Sequence, residues 1–329
     1  MTRQRWFESR IGGDFAGYIA LKRALGRKFV NEEKVLRHLD SFLAHRFPAI
    51  RDLSAPILEA WMVASPGLLP QSCAVRLRVV RQFCLYRRRT ISDAFVPDRI
   101  QHRWLWPERV SRHVPFIFTK EQVRNLLRAA LALDEGPSNS SRPRIFFTML
   151  LLLYAAGLRL CEAVRLRVSD VDFATGTLLI RETKFFKTRL TPVAEDVLHQ
   201  LRLHIQALRL PRTRECVEQP LFQHDGRSYS IGTVGATGRR LLRAIGLKPT
   251  HGRVGPRLHC LRHSFAVHRI ASWYADGADV QNRLPALATY MGHTSIESTQ
   301  YYATVTTEIL KYAGRRYERA CAPKTGGRS

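Results

Sequence analysis

Acidic side chains are scarce in this sequence. Its 329 residues include 27 Asp and Glu against 53 Lys and Arg, which gives a net charge of +26 at neutral pH. Residues 1–110 hold 20 basic and 10 acidic side chains and the rest of the chain holds 33 and 17, so the excess is not confined to one tail. Two basic halves indicate that both face a polyanion. A surplus of this size favours nucleic acid over a generally soluble basic protein.

Long apolar runs are also lacking. The longest, over residues 146–156, is shorter than the roughly 20 residues that span a bilayer and is typical of a buried helix. No Lys/Arg-rich amphipathic anchor is found, which argues against a membrane partner. The first residues, MTRQRWFESR, lack the apolar stretch of a secretory signal. We therefore expect a cytoplasmic protein.

Cysteine pairs with metal-ligand spacing are missing. The six cysteines are scattered and none forms a C-x-x-C pair, so the sequence predicts no zinc site. In a cytoplasmic protein we interpret them as reduced thiols. The hydrophobic fraction of 45% is enough for a proper core and excludes wholesale disorder.

Two regions of different character are present. Residues 11–89 show helical periodicity with little strand signal. Prolines at positions 97, 107 and 115 then predict an extended linker, because proline breaks helices. We predict a helical domain at residues 1–95, a linker at 96–116 and a second domain at 117–329.

A basic helix is predicted over residues 72–86 of the first domain. Its charged face suits contact with backbone phosphates, although a merely solvated face is an equal alternative for any single arginine. The candidate DNA contacts are Arg76, Arg78, Arg81, Arg87, Arg88 and Arg89.

The second domain mixes helices with a few strands. Thr119 and Gln122 form a capping-box pattern that opens a helix to about Leu133. Residues 171–181, with Gly176 in the middle, predict a β-hairpin. Further elements are predicted as a strand at 185–192 and helices at 144–156, 193–208, 231–245, 259–274, 281–291, 296–303 and 306–320. The predicted class is mainly α with a small antiparallel sheet (α+β).

Two adjacent tyrosines, Tyr301 and Tyr302, raise the question of chemistry, because His293 lies nine residues before the second. A free phenol has a pKa near ~10 and is a weak nucleophile at neutral pH. Attack on a phosphodiester builds negative charge that guanidinium pairs can absorb, and histidine or lysine must move the protons. Two arginines, a histidine and a lysine are therefore expected elsewhere in the domain.

Three short motifs supply these groups. The stretch GLRLCE, residues 157–162, places Arg159 directly after the apolar helix, where it can line a cleft; a surface arginine is the alternative. The stretch HCLRH, residues 259–263, puts His259 and Arg262 on one helical face, although H-x-x-R alone is a weak motif. A turn between predicted strands carries two lysines, Lys184 and Lys187.

The order of these motifs resembles the tyrosine recombinase (phage integrase) family. G-L-R-x-x-E, a hairpin lysine, H-x-L-R-H, and G-H followed nine residues on by Y all occur within about residues 117–305. The resemblance implies a site-specific DNA recombinase built as a two-domain, C-shaped DNA clamp. Residues 1–95 would be its helical, SAM-like core-binding domain and residues 117–329 its catalytic domain.

The resemblance also implies roles for individual residues. Arg159 and Arg262 would clamp the scissile phosphate, and His259 and His293 would hydrogen-bond it or move protons. Glu162 shares a turn with Arg159, and we interpret it as a structural ion-pair partner.

The remaining two roles fall to a lysine and a tyrosine. Lys184 would be the general acid for the departing 5′-hydroxyl, with Lys187 as a rival. Tyr302 would form the 3′-phosphotyrosyl bond, and Tyr301, about 100° away on a helix, would pack instead.

A phosphotyrosyl intermediate conserves the energy of the phosphodiester, so the resemblance implies neither ATP, metal nor any other cofactor. The implied partner is double-stranded DNA at recombination sites in the nucleoid. A homotetramer would assemble there, with or without related recombinases. Strand exchange would proceed through a Holliday junction. The stretch at 275–290 is longer than the usual family pattern and resembles members carried by transposon-like elements. A catalytically silent DNA-binding or architectural protein and a type IB topoisomerase are the alternatives.

Overall fold

The computed structural model describes residues 7–105, 114–135, 141–181, 188–208, 217–252 and 254–292. The chain divides into two compact units, Met1–His113 and Val114–Ser329. Among the described residues, no helix is long and apolar enough to cross a membrane.

The first unit is a bundle of helices around an aromatic core. Phe15 stacks on Phe83 with ring centroids 4.2 Å apart, and Trp61 is completely buried. Trp61 Nε1 donates a hydrogen bond to His38 Nδ1 at 2.8 Å, so its polar edge is satisfied. The elements are α1 Gly12–Ala24, α2 Val30–Arg46, α3 Ala55–Val63, α4 Pro70–Arg87 and a 3₁₀ turn at Arg103–Leu105.

Arg87, the last residue of α4 and one of the predicted DNA contacts, is buried. Its side chain is only 4% exposed, and it pairs with Asp14 at 2.7 Å and with Asp52. It also donates to the Arg51 carbonyl at 2.9 Å. A buried guanidinium needs such partners to offset its desolvation. Arg87 therefore connects α4 to α1 and to the segment at residues 51–52, and its guanidinium is occupied by these partners.

The second unit combines seven described α-helices and a 3₁₀ turn at Val168–Asp170 with two small sheets. Its helices are α5 Lys120–Leu131, α6 Arg142–Ala155, α7 Leu160–Arg165, α8 Glu195–Ala207, α9 Ile231–Ala244, α10 His259–Ala275 and α11 Val280–Met291. Its strands are β1 Val171–Asp172, β2 Thr177–Ile180, β3 Arg189–Pro192, β4 Gln223–His224 and β5 Arg227–Ser228. The predicted class, mainly α with small antiparallel sheets, is confirmed.

Several local predictions are confirmed by particular contacts. Thr119 accepts a hydrogen bond from the Gln122 backbone N–H, and Gln122 accepts one from the Thr119 backbone N–H, as a capping box requires. Gly176, at φ 67°, turns the chain between β1 and β2. Strand β3 pairs antiparallel to β2, with Ile180 opposite Arg189. Helix α7 and the β4–β5 hairpin were not predicted.

Helix α6 is the centre of the second unit's core, and it packs on α5, α8 and α10. Its apolar residues face the core on several sides, with Phe146, Met149, Leu152 and Leu153 almost fully buried. Ser264 on α10 adds a polar tie, because its hydroxyl accepts from the Phe118 backbone N–H at 2.8 Å and donates to the Cys260 carbonyl at 2.9 Å. Helix α10, which also carries Arg262, is thereby fixed against the start of this unit.

Candidate active site

A glycine turn delivers Arg159 to the start of α7. Gly157 has φ 59°, a backbone conformation in which a residue with a side chain is strained. A Cβ there would also lie 2.5 Å from the ring of Phe265. The backbone then becomes extended at Arg159, the residue that caps α7, at φ −74° and ψ 149°. Because glycine has no side chain, the α6–α7 turn can pack directly on α10, the helix that carries Arg262.

Arg262 is almost completely buried, with 2% of its side chain exposed. Nη1 donates to the Gly157 carbonyl at 2.6 Å and Nη2 to the Met291 carbonyl at 2.5 Å. Its guanidinium therefore joins the turn before Arg159 to the end of α11. The two arginines of the sequence motifs, 103 positions apart, meet at this junction.

Glu162 is the anion at the centre of the cluster, and its side chain is 3% exposed. Arg159 Nη1 lies 2.6 Å from Oε1, and the Arg159 backbone N–H donates to Oε2 at 2.9 Å. Arg189 adds two parallel bonds, Nη1 to Oε1 at 3.1 Å and Nη2 to Oε2 at 2.9 Å. Arg262 Nη1 stands 3.9 Å from Oε2.

The guanidinium groups around Glu162 determine whether its carboxyl is ionised. Burial by itself raises the pKa of the carboxyl, but hydrogen bonds and charges from Arg189 and Arg159 outweigh it and lower the pKa to about 2. Glu162 is therefore a carboxylate at any pH near neutrality, and the predicted structural ion pair is a larger network.

The end of α11 is held by the same three arginines, Arg159, Arg189 and Arg262, which we call the arginine triad. Arg189 Nε donates to the Tyr290 carbonyl at 3.0 Å, Arg262 to Met291, and Arg159 Nη2 to Gly292 at 2.8 Å. The last carbonyls of a helix have no partner within it and carry the negative end of the helix dipole. Three guanidinium groups therefore satisfy three consecutive carbonyls.

His259, the first residue of α10, lies beside the triad. It is exposed, and its ring packs edge-on against His263 with centroids 4.7 Å apart. Partial desolvation by the protein around it lowers the pKa of His259, and the positive charges of Arg262 and Arg159 lower it further. The ring is therefore mainly neutral at pH 7 and can accept a proton.

The other predicted catalytic residues, Lys184, His293 and Tyr302, lie outside the described residues, as do Lys187 and Tyr301. Gly292 closes α11 in the left-handed conformation at φ 66°. His293 follows it directly in the sequence.

Comparison with known proteins decides the family. A model of the phage integrase family matches residues 117–308, which include Arg159, His259, Arg262, His293 and Tyr302. This chain belongs to the phage integrase family. It is a tyrosine recombinase, as the resemblance of its motifs predicted.

Relatives of this recombinase are similar over most of its length. A putative integrase/recombinase, y4rB of Sinorhizobium fredii, is 34% identical over 94% of this chain and 97% of its own. The tyrosine recombinase XerD of Rhizobium meliloti is 32% identical over 84% of this chain and 85% of its own. Among solved structures, the Tn1549 transposon integrase in complex with transposon right-end DNA is 18% identical over 94% of this chain and 98% of its own, at a TM-score of 0.66. That likeness shows a shared fold.

Arg189 is the site residue that the sequence did not reveal. It lies opposite Ile180, and its neighbour two positions on, Thr191, is completely buried. Residues two apart on a strand share a face. An arginine on the buried face of β3 needs an anionic partner. The alternation of buried and exposed positions along β3 is the signal by which Arg189 could have been predicted. The partner, Glu162, is 27 residues away and follows only from the fold.

The predicted DNA-contact arginines of this recombinase differ in their surroundings. Arg76 lies over the Trp61 ring, 5.5 Å from its centroid, and donates to Ser65 Oγ at 3.0 Å. Arg81 Nε donates to the Pro97 carbonyl at 3.2 Å. The exposed members are Arg78, Arg88 and Arg89.

Proposed function

We propose that this tyrosine recombinase cuts and rejoins double-stranded DNA at specific sites through a 3′-phosphotyrosyl bond to Tyr302. The observation that carries the proposal is the meeting of Arg159 and Arg262 at Glu162 and the end of α11, directly before His293 in the chain. Guanidinium groups fixed in a partly enclosed site stabilise charge where it develops on a phosphate, without further reorganisation.

In the proposed cleavage, the Tyr302 oxygen attacks the scissile phosphorus. A new bond joins that phosphorus to the tyrosine, and its bond to the 5′-oxygen of the next nucleotide breaks. Neutral His259 takes the phenolic proton, and Lys184, with Lys187 as the alternative, protonates the leaving 5′-oxygen. His293 hydrogen-bonds the phosphate.

The two arginines contribute differently to the proposed clamp. Arg159 is 22% exposed at its side chain and Arg262 only 2%. Arg159 is thus the first guanidinium that a phosphate in the site would meet, while Arg262 holds the turn and α11 around it. Planar guanidinium groups match two phosphate oxygens at once.

Rejoining follows from the same chemistry in reverse. A 5′-hydroxyl from a second strand attacks the phosphotyrosine and releases Tyr302, so the bond energy is retained and no ATP or metal is consumed. Exchange of two strand pairs implies a Holliday junction and four protomers on DNA. We infer the tetramer from this requirement, and the nucleoid location from double-stranded DNA as the partner.

DNA as the partner is supported by charge. The net charge of +26 is spread over both units, and the Tn1549 integrase, which shares the fold, was solved with transposon-end DNA. We propose residues 1–95 as the core-binding domain, 96–116 as the linker and 117–329 as the catalytic domain. Arg76, Arg78, Arg81, Arg88 and Arg89 are the proposed phosphate contacts of the first domain.

A two-stage experiment tests the function. Duplexes are first selected from a randomised pool by binding to the full-length protein. Each selected duplex is then nicked near candidate cleavage positions, so that the released 5′-hydroxyl fragment diffuses away and a covalent protein–DNA adduct accumulates. The proposal predicts an adduct with the wild type and none with Tyr302→Phe.

The alternatives give other outcomes. Binding without any adduct at any nick position would leave a catalytically silent DNA-binding protein. Efficient relaxation of a supercoiled plasmid that lacks the selected site would favour a type IB topoisomerase.

A further inference from the structure

Arg189 forms three side-chain hydrogen bonds within the site. Its Nη1 and Nη2 bond the two oxygens of Glu162 in parallel, and its Nε donates to the Tyr290 carbonyl at 3.0 Å. Its side chain is 12% exposed. A group so enclosed cannot be the first to meet a phosphate, so its contribution has to pass through the residues that it holds.

Arg189 and Arg159 both bond the carboxylate of Glu162, and each also donates to a backbone carbonyl at the end of α11. Both donate to Glu162 Oε1, and they cap the carbonyls of Tyr290 and Gly292 in turn. Any displacement of Glu162 or of the α11 end would therefore move the guanidinium of Arg159. Arg189 supplies two of the bonds on the carboxylate and one on the helix end.

The backbone at the α11 end is packed against the Arg189 guanidinium. A Cβ on Gly292 would lie 2.8 Å from Arg189 Nη1 and 3.1 Å from its Cζ. The absence of a side chain at position 292 lets the chain pass this close as it leaves α11. The position of Gly292 at the end of α11 is thus set against Arg189.

We propose that Arg189 is a positioning residue for DNA cleavage: it fixes Glu162 and the end of α11 so that the guanidinium of Arg159 is held in place for the scissile phosphate. The inference rests on the proposed function and adds a group outside the predicted catalytic set. Lysine cannot replace the arginine, because an ammonium is a point charge and lacks the planar fork that reaches the carboxylate and the carbonyl together.

The chain offers a matched control in Arg181. It follows β2 on the same sheet, and its Nε lies 2.6 Å from a carboxylate that is equally buried, Asp170 at 3% exposure. Arg181 forms no contact with Glu162 among those described. Substitutions at 189 and 181 both break an arginine–carboxylate pair on this sheet, and only the first touches the triad.

The test measures single-turnover adduct formation on the selected nicked duplex at saturating protein, together with the DNA Kd and the thermal midpoint. We expect Arg189→Ala and Arg189→Lys to slow the adduct step about 10- to 100-fold, since a misplacement near 1 Å costs rates of this order. Their Kd should change less than about threefold, because phosphate contacts across the whole interface dominate affinity. Arg181→Ala and Arg181→Lys should stay within about threefold of the wild-type rate.

A pH profile separates positioning from general destabilisation. Arg189 provides the main hydrogen bonds and charge that lower the pKa of Glu162. Without Arg189 the carboxyl should take up a proton at a higher pH and release Arg159, so the acid limb of the cleavage profile should move upward. In a Glu162→Gln background that shift should vanish. A purely structural defect would lower the rate equally at every pH.

The outcomes are distinct. A wild-type protein that forms no adduct overturns the proposed function and this inference with it. A wild-type adduct with an unchanged Arg189→Ala rate overturns the inference alone. So does a loss in Arg189→Ala that a higher protein concentration restores or that is uniform in pH. If Arg189→Ala fails to fold, Arg189→Lys decides; failure of both to fold would assign Arg189 to folding and end the proposal.

Discussion

Arg159 and Glu162, three residues apart, are joined twice. The Arg159 backbone N–H donates to Glu162 Oε2 at 2.9 Å, and its guanidinium donates to Oε1 at 2.6 Å. The first bond caps helix α7 and the second orients the side chain, so one carboxylate sets both the backbone and the guanidinium of the proposed phosphate clamp. Arg189 and Arg262 then link this pair to the end of α11.

Removal of Glu162 should destabilise the second unit strongly. Glu162→Ala leaves buried guanidinium groups without their counter-ion, and breaking such a pair costs about 3–5 kcal/mol. Urea unfolding measures the loss. Glu195→Ala is the matched control, because its pair with Arg202 is exposed and should contribute less than ~1 kcal/mol. Equal losses in the two variants would show that the network adds nothing to stability.

The contribution of Glu162 should depend on pH. Its folded-state pKa of about 2 lies below the ordinary value of 4.5. A group whose folded pKa is depressed contributes stability that is present above the unfolded pKa and is lost as pH falls toward the folded pKa. The difference in unfolding free energy between wild type and Glu162→Gln should be constant above about pH 5.5 and shrink between about 4.5 and 2. A difference independent of pH in that window contradicts the assignment.

Gly157→Ala should damage the turn that presents Arg159. Alanine at φ 59° is strained by roughly 1–2 kcal/mol, and its Cβ would also meet the Phe265 ring. Gly246→Ala separates the two effects, because Gly246 has φ 73° with nothing within 4 Å of the added Cβ. Thermal unfolding should show the larger loss for Gly157→Ala, and adduct formation should fall only in that variant. Equal behaviour would mean that close packing on Phe265 is unimportant.

The arginines at the end of α4 should separate into a structural and a DNA-binding group. Arg87→Ala removes the buried partner of Asp14 and Asp52, which are 42% and 37% exposed and can be hydrated, so it should cost the first unit about 1–3 kcal/mol. Arg88→Ala should leave stability within about 0.5 kcal/mol. It should weaken DNA binding and reduce the slope of log K against log salt by about one. A salt slope unchanged in Arg88→Ala would remove it from the proposed interface.

Local patterns in the sequence predict much of this fold because they have local causes. The capping box at Thr119 and the turn at Gly176 each depend on residues within a few positions. The burial of Arg87 had a local signal too. It lies three residues after Cys84 and seven after Val80, both buried, so helical spacing puts it on the core face of α4.

The site required information that no short window holds. The motifs indicate Arg159 and Arg262, and their convergence depends on the approach of Gly157 to Phe265 across α10. Arg189 reaches the site because β3 pairs with β2 in a register that turns it inward, toward a carboxylate on another element. Long-range pairing of this kind follows from packing of the whole unit.

The most direct measurement is recovery of a covalent protein–DNA adduct from the full-length protein on a nicked duplex, followed by mapping of the modified residue. We expect one DNA strand linked through its 3′-phosphate to Tyr302, with the adduct lost in Tyr302→Phe and retained in Tyr301→Phe. An adduct that survives in Tyr302→Phe, or that maps to another residue, would contradict the account.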